Sequence, residues 1–578
     1  MKLPVMNVIK RKVEGVNRFS GLDQRPKPYD SAFAEMKNMT CERLPVMAAR
    51  RPRMRVRTLR YPGGLFAHDG LCWVDGTTFY YDGAAKGEVK QGEKQFVRMG
   101  AYVLIWPDGA YYNTHTDEFG SLERTNTTKT GVTAALCQLD GTPYEYTTAR
   151  TAPKEPKNGE YWMDQSQTPN VLKMWNATQS MWVSVPTVYT KITSTGIGKG
   201  LKANDAVTMK GFISHTELNG SFYIVECADN YLIVVALIPE AFTQTAAVTV
   251  SRTIPQMDFV TEAGNRVWGC SNEKHEIYAS ALGDPTNFNR FLGLASDSYT
   301  ATVGTRGDFT GAASHLGNAL FFKEDTVHQM MGTQPSNFTI STNTCRGVAR
   351  GSEGSLCHVN EYLLYKAPLD VCMMMGMSTL PGTVSDLLGK ESYQNATAGA
   401  LGSRYFMNAE TEDGRRVMLV YDTASNAWCL EDDVHVTHFA QLDGELYMLT
   451  AEGEIWSVNG TAPEHLRDET SGPEKQVAWE LVTGPMGLDE PYSKYISSIQ
   501  LHVACELGSA VRVDEAYDDQ DDWREMFRLD PVRTRSLTIP VVPRRCRTMR
   551  LRVRGTGAFE LYSITKTIEQ GSDVYAHQ

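Results

Sequence analysis

FAQLDGELYMLTAEGEIWSVNG, residues 439–460, decides the fold. An alternating strand runs into Asp443-Gly444, a strong two-residue hairpin signal, because glycine accepts the positive φ that such a turn needs. Glu445-Leu446-Tyr447-Met448 then alternates with period two, which aims one face at a neighbouring sheet. A second polar turn leads to the aromatic strand around Trp456.

The same pattern recurs outward from this stretch. It is found at 65–83, 96–113, 259–280, 313–332, 356–376 and 398–422, giving seven modules. Their turn anchors are Gly70, Gly100, Gly264, Gly317, Asn360, Gly402 and Gly444, separated by 30, 164, 53, 43, 42 and 42 residues. The last three spacings match the roughly 40–50 residues of a four-stranded propeller blade. A lone blade cannot bury both faces, so stacking around an axis is the stable solution. The gap of 164 leaves roughly 120 residues beyond one blade period, the size of an inserted domain.

The sequence therefore predicts an all-β chain: a multi-bladed β-propeller with an inserted small β-domain and a C-terminal β-sandwich. Its expected divisions are an N-terminal arm (1–60), first blades (61–129), insert (130–255), remaining blades (256–460), linker (461–475), sandwich (476–570) and tail (571–578). The arm reads as extended, with one helical turn around Ser31–Asn38, and draws its order from a partner or from the propeller. The insert holds a Trp-dense stretch (155–186) and a run of evenly spaced strands (190–238) with Asn219-Gly220 as a hairpin. Alternating runs such as KYISSIQLHVAC (494–505) and TMRLRVRG (548–555) build the sandwich.

Composition agrees. Among 578 residues, 48 glycines, 25 prolines and 10% aromatics favour strands joined by short turns. A net charge of −11 argues against a general nucleic-acid binder with a broad basic face. Yet Arg50, Arg51, Arg53, Arg55, Arg57 and Arg60 stand together with no acid among them, and a second basic stretch runs from Arg533 to Arg554. These are either solvated or locally paired strand faces, or anchors on an acidic partner or a phosphate backbone. Eleven scattered cysteines without a C-x-x-C read as reduced, small hydrophobes. No apolar run suggests a signal peptide or a membrane anchor.

Propellers can be enzymes, so catalytic patterns bear on the reading. There is no Asp-box turn, nucleophile elbow, H-E-x-x-H or Walker loop, and VDGTTF (74–79) has only a superficial likeness to the first. Gly196-Ile197-Gly198-Lys199-Gly200 lacks phosphate-loop spacing and reads as a turn. Asp518, Asp519, Asp521 and Asp522 could bind calcium or serve in glycoside hydrolysis, but they lack EF-hand spacing and read as solvated acids. His435 and His438, three apart in a strand, point to opposite faces and cannot chelate without a bend. No catalytic, cofactor-binding or metal residue is assigned, and the chain reads as a non-enzyme.

Several blocks resemble the β-propeller tail proteins of bacteriophages, especially the tail nozzle and related tail or neck proteins of short-tailed phages. They are 19–53, NRVWGCSNEKHEIYASALGDPTNFNRF (265–291), LFFKEDTVHQMMGTQPSNFTI (320–340), 491–503 and 539–564. The resemblance implies a virion structural protein, made in the bacterial cytoplasm, that forms a ring, favoured as a hexamer, around the DNA exit channel. It implies portal, adaptor or other tail and neck proteins as partners, genome DNA passing without sequence-specific contact, and no reaction. An acidic lumen would let the genome slide. The alternatives are a receptor-binding or adhesive tail protein whose aromatic insert grips glycan, and a propeller glycan hydrolase using Asp518 or Asp522.

Overall fold

The computed structural model describes residues 11–376, 380–489, 492–506, 508–518, 520–529 and 537–570. The chain is a multi-bladed β-propeller with an inserted β-domain and a C-terminal β-sandwich. It divides into two compact units. Unit one comprises 1–96, 305–330 and 340–578; unit two comprises 97–304 and 331–339.

In unit one, blade one (62–88), blade four (311–344, apart from 331–339, which belong to unit two), blade five (357–383) and blade six (393–430) are each four-stranded sheets in consecutive order. Blade seven (436–457) has three strands from its own stretch. Its fourth is Met54–Thr58, antiparallel to Glu454–Ser457 with Arg57 opposite Ile455. Apolar cores join four to five, six to seven, and seven to one. Second strands are therefore buried on both faces: all six residues of Glu445–Thr450 are buried, although their alternation alone foretells one buried face. Glu445 is tolerated there because its carboxylate accepts from the Leu446 and Asn459 amides and the Thr461 hydroxyl.

Each turn anchor lies between the first and second strands of its blade. Gly100, Gly264, Gly317, Asn360, Gly402 and Gly444 have φ between 54° and 79°. At the first hairpin the roles change: Asp69 takes the positive φ, and Gly70 is needed for space. A Cβ on Gly70 would stand 2.8 Å from the Tyr81 ring.

The sandwich draws on both ends of the chain. In one sheet Phe559–Gln570 lies between Arg11–Val16 and Lys494–Cys505; in the other, Ala32–Lys37 pairs with Ala478–Thr483. Residues 11–60 thus supply strands to both sandwich sheets and to blade seven, and the expected extended arm is corrected accordingly. The helical turn expected at Ser31–Asn38 is a strand, Ala32–Lys37, whose Phe33 and Met36 enter the sandwich core. Cys41 and Cys429 form a disulfide, their Cα atoms 5.9 Å apart, so the reading of all cysteines as reduced is corrected for this pair. The tail 571–578 lies outside the described residues.

Unit two contains blades two (95–121, whose first strand begins in unit one) and three (259–302), which share a core of Leu104, Trp106, Val267 and Phe288. The insert occupies the connection between them. Its first strand, Arg124–Thr127, pairs antiparallel with its last, Thr249–Arg252, so the sheet begins six residues before the expected boundary. Entry and exit are side by side. At this neck Arg252 bonds the Leu122 carbonyl and forms a buried ion pair of 2.7 Å with Asp205. The neck strands belong to an eight-stranded sheet, and a smaller four-stranded sheet completes the insert.

Candidate functional site

The arginine segment is consumed inside unit one. Arg53 lies 2.5 Å from both Glu431 and Asp432, and Arg50 lies 2.7 Å from Glu474 and 3.3 Å from Asp432. Both guanidiniums are more than nine-tenths buried. Burial works against the Arg53 charge, but Asp432 and Glu431 outweigh it and raise its pKa above the ordinary arginine value. Downstream, Arg55 donates to the Thr470 carbonyl and pairs with Glu454, and Arg57 donates to the Leu466 carbonyl. The supposed linker 461–475 is thus a clamp over the arginine strand. Arg50 and Arg53 are internal ties, which corrects their reading as anchors on a neighbour; Arg51 remains largely exposed.

The acidic run and the second basic stretch are partners of each other. Asp518 accepts from the amides of Arg547 and Thr548, and Asp521 pairs with Arg550 at 2.6 Å. Arg550 and Arg552 lie over the Trp523 ring. Asp519 and residues 533–536 lie outside the described residues. Among the described residues no three His, Cys, Asp or Glu side chains form a metal-binding group.

His435 precedes the strand Val436–Leu442, which bulges between Val436 and His438. His435 faces Arg416, Glu410 and Glu452, whereas His438 lies 3.8 Å from Glu93. Burial lowers the pKa of both. The structure does not bring them together as ligands. The Gly196–Gly200 run is a turn whose Ile197 and Lys199 carbonyls accept from Asn126, and a Cβ on Gly198 would lie 2.1 Å from the Ala228 carbonyl oxygen. Gly198 thus serves packing, whereas Gly196 and Gly200 supply the positive φ of the turn.

A surface that no sequence pattern marks is the connection between Glu276–Ala279 and Tyr299–Thr302 of blade three. It exposes Leu282 (46%), Phe291 (52%), Leu292 (43%) and Leu294 (50%). The loop is nonetheless tightly built. Buried Arg266 donates to the carbonyls of Ser280, Ala295 and Asp297. The Asp297 carboxylate accepts from the Leu292 and Leu294 amides and pairs with Arg290 at 3.3 Å. Within the same unit, the Phe291 amide donates to the Tyr223 hydroxyl, and Asn287 donates to the Asn204 carbonyl. Leu282 is tied across to Ser296 by its backbone amide. The result is a fixed loop, or knuckle, that presents these four apolar side chains. Its sequence signal is a cluster of large apolar residues in a turn-rich stretch without strand or helix period.

No protein-family model matches the sequence, and no curated protein matches it. Among solved structures, BamB from Moraxella catarrhalis is similar at 10% identity over 71% of this chain and 97% of its own, with a TM-score of 0.30. Phage phi92 endosialidase is similar at 10% identity over 71% and 69%, TM-score 0.25. An exo-β-1,3-galactanase from Phanerochaete chrysosporium is similar at 9% identity over 53% and 94%, TM-score 0.23.

Proposed function

We propose that the chain is a structural component of a bacteriophage tail or neck, a propeller subunit that assembles with its own copies into a ring around the genome's exit channel. The resemblance favours a hexamer, docked to portal, adaptor or other tail proteins. The observation that carries this reading is the knuckle of Leu282, Phe291, Leu292 and Leu294. Large apolar side chains held in water are unfavourable, and exposed apolar patches mark interaction surfaces. A slack loop would fold them inward; the Arg266–Asp297 framework prevents that. Burying them against a neighbour restores the lost hydrophobic stabilisation. The weaving of the N- and C-terminal segments into common sheets suits a part that must hold its shape under load. The virion setting is supported by the resemblance of 265–291 and 320–340.

The test is assembly. Phe291→Ser with Leu292→Ser should leave the far-ultraviolet circular dichroism of the purified protein unchanged, because both side chains are already about half exposed and neither belongs to a core. It should shift sedimentation of the full chain from ring to monomer and abolish incorporation into particles. Rings formed equally well by the variant, or absence of the parent protein from purified tails, would refute the proposal.

A further inference from the structure

The smaller sheet of the insert sets three indoles on one face. Its strands are Tyr146–Ala149, Tyr161–Asp164, Val171–Asn176 and Met181–Ser184, adjacent in that order. Met163 and Leu172, on one face, enter the insert's core. Strand alternation puts Trp162, Lys173, Trp175, Trp182, Thr147 and Ser184 on the other.

The register makes that face continuous. Thr147, Trp162, Lys173 and Ser184 stand opposite one another in a row across the four strands, and Trp175 stands opposite Trp182 in the next. The indoles step across the sheet: Trp162 to Trp182 is 5.4 Å between ring centroids, and Trp182 to Trp175 is 5.5 Å. Trp162 is the fixed one. It is buried, its indole N–H donates to the Ala149 carbonyl, and Lys173 lies over its ring while pairing with Asp164 at 2.8 Å. Trp175 and Trp182 are half-buried, and among the described residues neither indole N–H has a hydrogen-bond partner. Thr147 and Ser184 are exposed with hydroxyls likewise unengaged.

A buried indole normally finds a partner for its N–H, so half-buried indoles with free donors belong on a surface that meets something both apolar and polar. An apolar protein surface would leave those donors and hydroxyls unpaired, at a cost when desolvated. A pyranose ring meets both demands, with C–H groups on its flat faces and hydroxyls around its edge. The face carries no leucine, isoleucine or phenylalanine, which also distinguishes it from the knuckle of blade three.

We propose that this sheet face is a glycan-binding site: sugar rings stack on Trp175 and Trp182, and their hydroxyls bond the two indole N–H groups, Thr147 and Ser184. Trp162 is a positioning residue that fixes Trp182. The proposal holds whether or not the chain is a virion scaffold.

The experiment uses the full chain with three probes: chitohexaose, cellohexaose and lipopolysaccharide O-chain. Binding is read by titration calorimetry and tryptophan fluorescence. At least one probe is expected to bind and to change the indole emission. Trp175→Ala with Trp182→Ala should weaken that binding at least tenfold. Ser184→Arg, placed on an exposed position and so harmless to folding, should block the same probe. Trp182→Phe should retain part of the affinity. The proposal fails if no probe binds the parent, or if binding survives both the double alanine variant and Ser184→Arg. It fails equally if a protein ligand occupies the face and none of the glycans competes.

Discussion

Replacing Arg53 by Met should be among the most damaging single changes in unit one. The Arg53 side chain is 3% exposed, and it faces Glu431 and Asp432, themselves 3% and 7% exposed. With Arg50 and Glu474 included, the cluster holds two cations and three carboxylates; without Arg53, one cation remains for three carboxylates. Removing one partner of a buried ion pair typically costs about 3–5 kcal/mol, because the other charge is left uncompensated. Arg50, 3.3 Å from Asp432, retains part of the compensation, which puts the expected loss at about 3 kcal/mol. For a cooperative unit of this size that is a fall of roughly 5 °C in melting temperature. Calorimetry and urea unfolding of the full chain would measure it. Arg51→Met is the control: its side chain is 63% exposed, its nearest carboxylate is 3.9 Å away, and the change should stay within about 0.5 kcal/mol. Adding Glu431→Gln and Asp432→Asn to Arg53→Met should recover more than half the loss, since the buried charge is then gone. If Arg53→Met and Arg51→Met both melt within 1 °C of the parent, the internal-tie reasoning is wrong.

Deleting residues 1–59 should prevent soluble folding of unit one, because Met54–Thr58 is the fourth strand of blade seven, paired with Glu454–Ser457 on one side and Gly472–Pro473 on the other; a folded truncated product in circular dichroism would contradict this. His328, buried between the Thr305 and Thr342 hydroxyls, has its pKa pushed down to about 4 from 6.5, by burial and then by Lys323. The unfolded chain therefore takes the proton first, so its contribution is intact above pH 6.5 and falls by roughly 3 kcal/mol between pH 6.5 and 4. His328→Gln should flatten that part of the stability profile in urea titrations at stepped pH. Gly198→Ala should lower the stability of the insert by on the order of 2 kcal/mol, its Cβ being forced against the Ala228 carbonyl, and hydrogen exchange confined to the insert would report it. Excising 124–252 with a short Gly/Ser bridge should leave the remaining chain folded, since the paired neck strands bring the cut ends together; loss of cooperative melting would count against it.

Much of the candidate surface was invisible to sequence patterns for a simple reason. The knuckle's four apolar residues have neither the alternation of a strand nor the stripe of a helix, so nothing local distinguishes them from the interior of a loop. The loop is shaped by ties such as those of Arg266 and Asp297, which join residues up to 31 apart through backbone carbonyls. The Trp face was half legible. Trp density was plain in 155–186, but which indoles share a face depends on register across three strand pairs.

The sequence by itself determined the blade architecture. Turn chemistry at Gly264, Gly402 and Gly444, period-two alternation and a spacing of 42–43 residues are short-range properties, written into consecutive residues and expressed wherever the chain folds. The alternating runs of the sandwich were legible on the same grounds. Tertiary structure alone decided what partners what over long separations. Arg53 meets Glu431 and Asp432 across 378 and 379 residues, Cys41 meets Cys429 across 388, and Arg11 meets Glu569 across 558. Such pairings follow from where the N-terminal segment is laid against blades six and seven and against the sandwich. An arginine run carries the same charge whether it meets water, a neighbour or its own chain, and only the burial of its partners distinguishes the three.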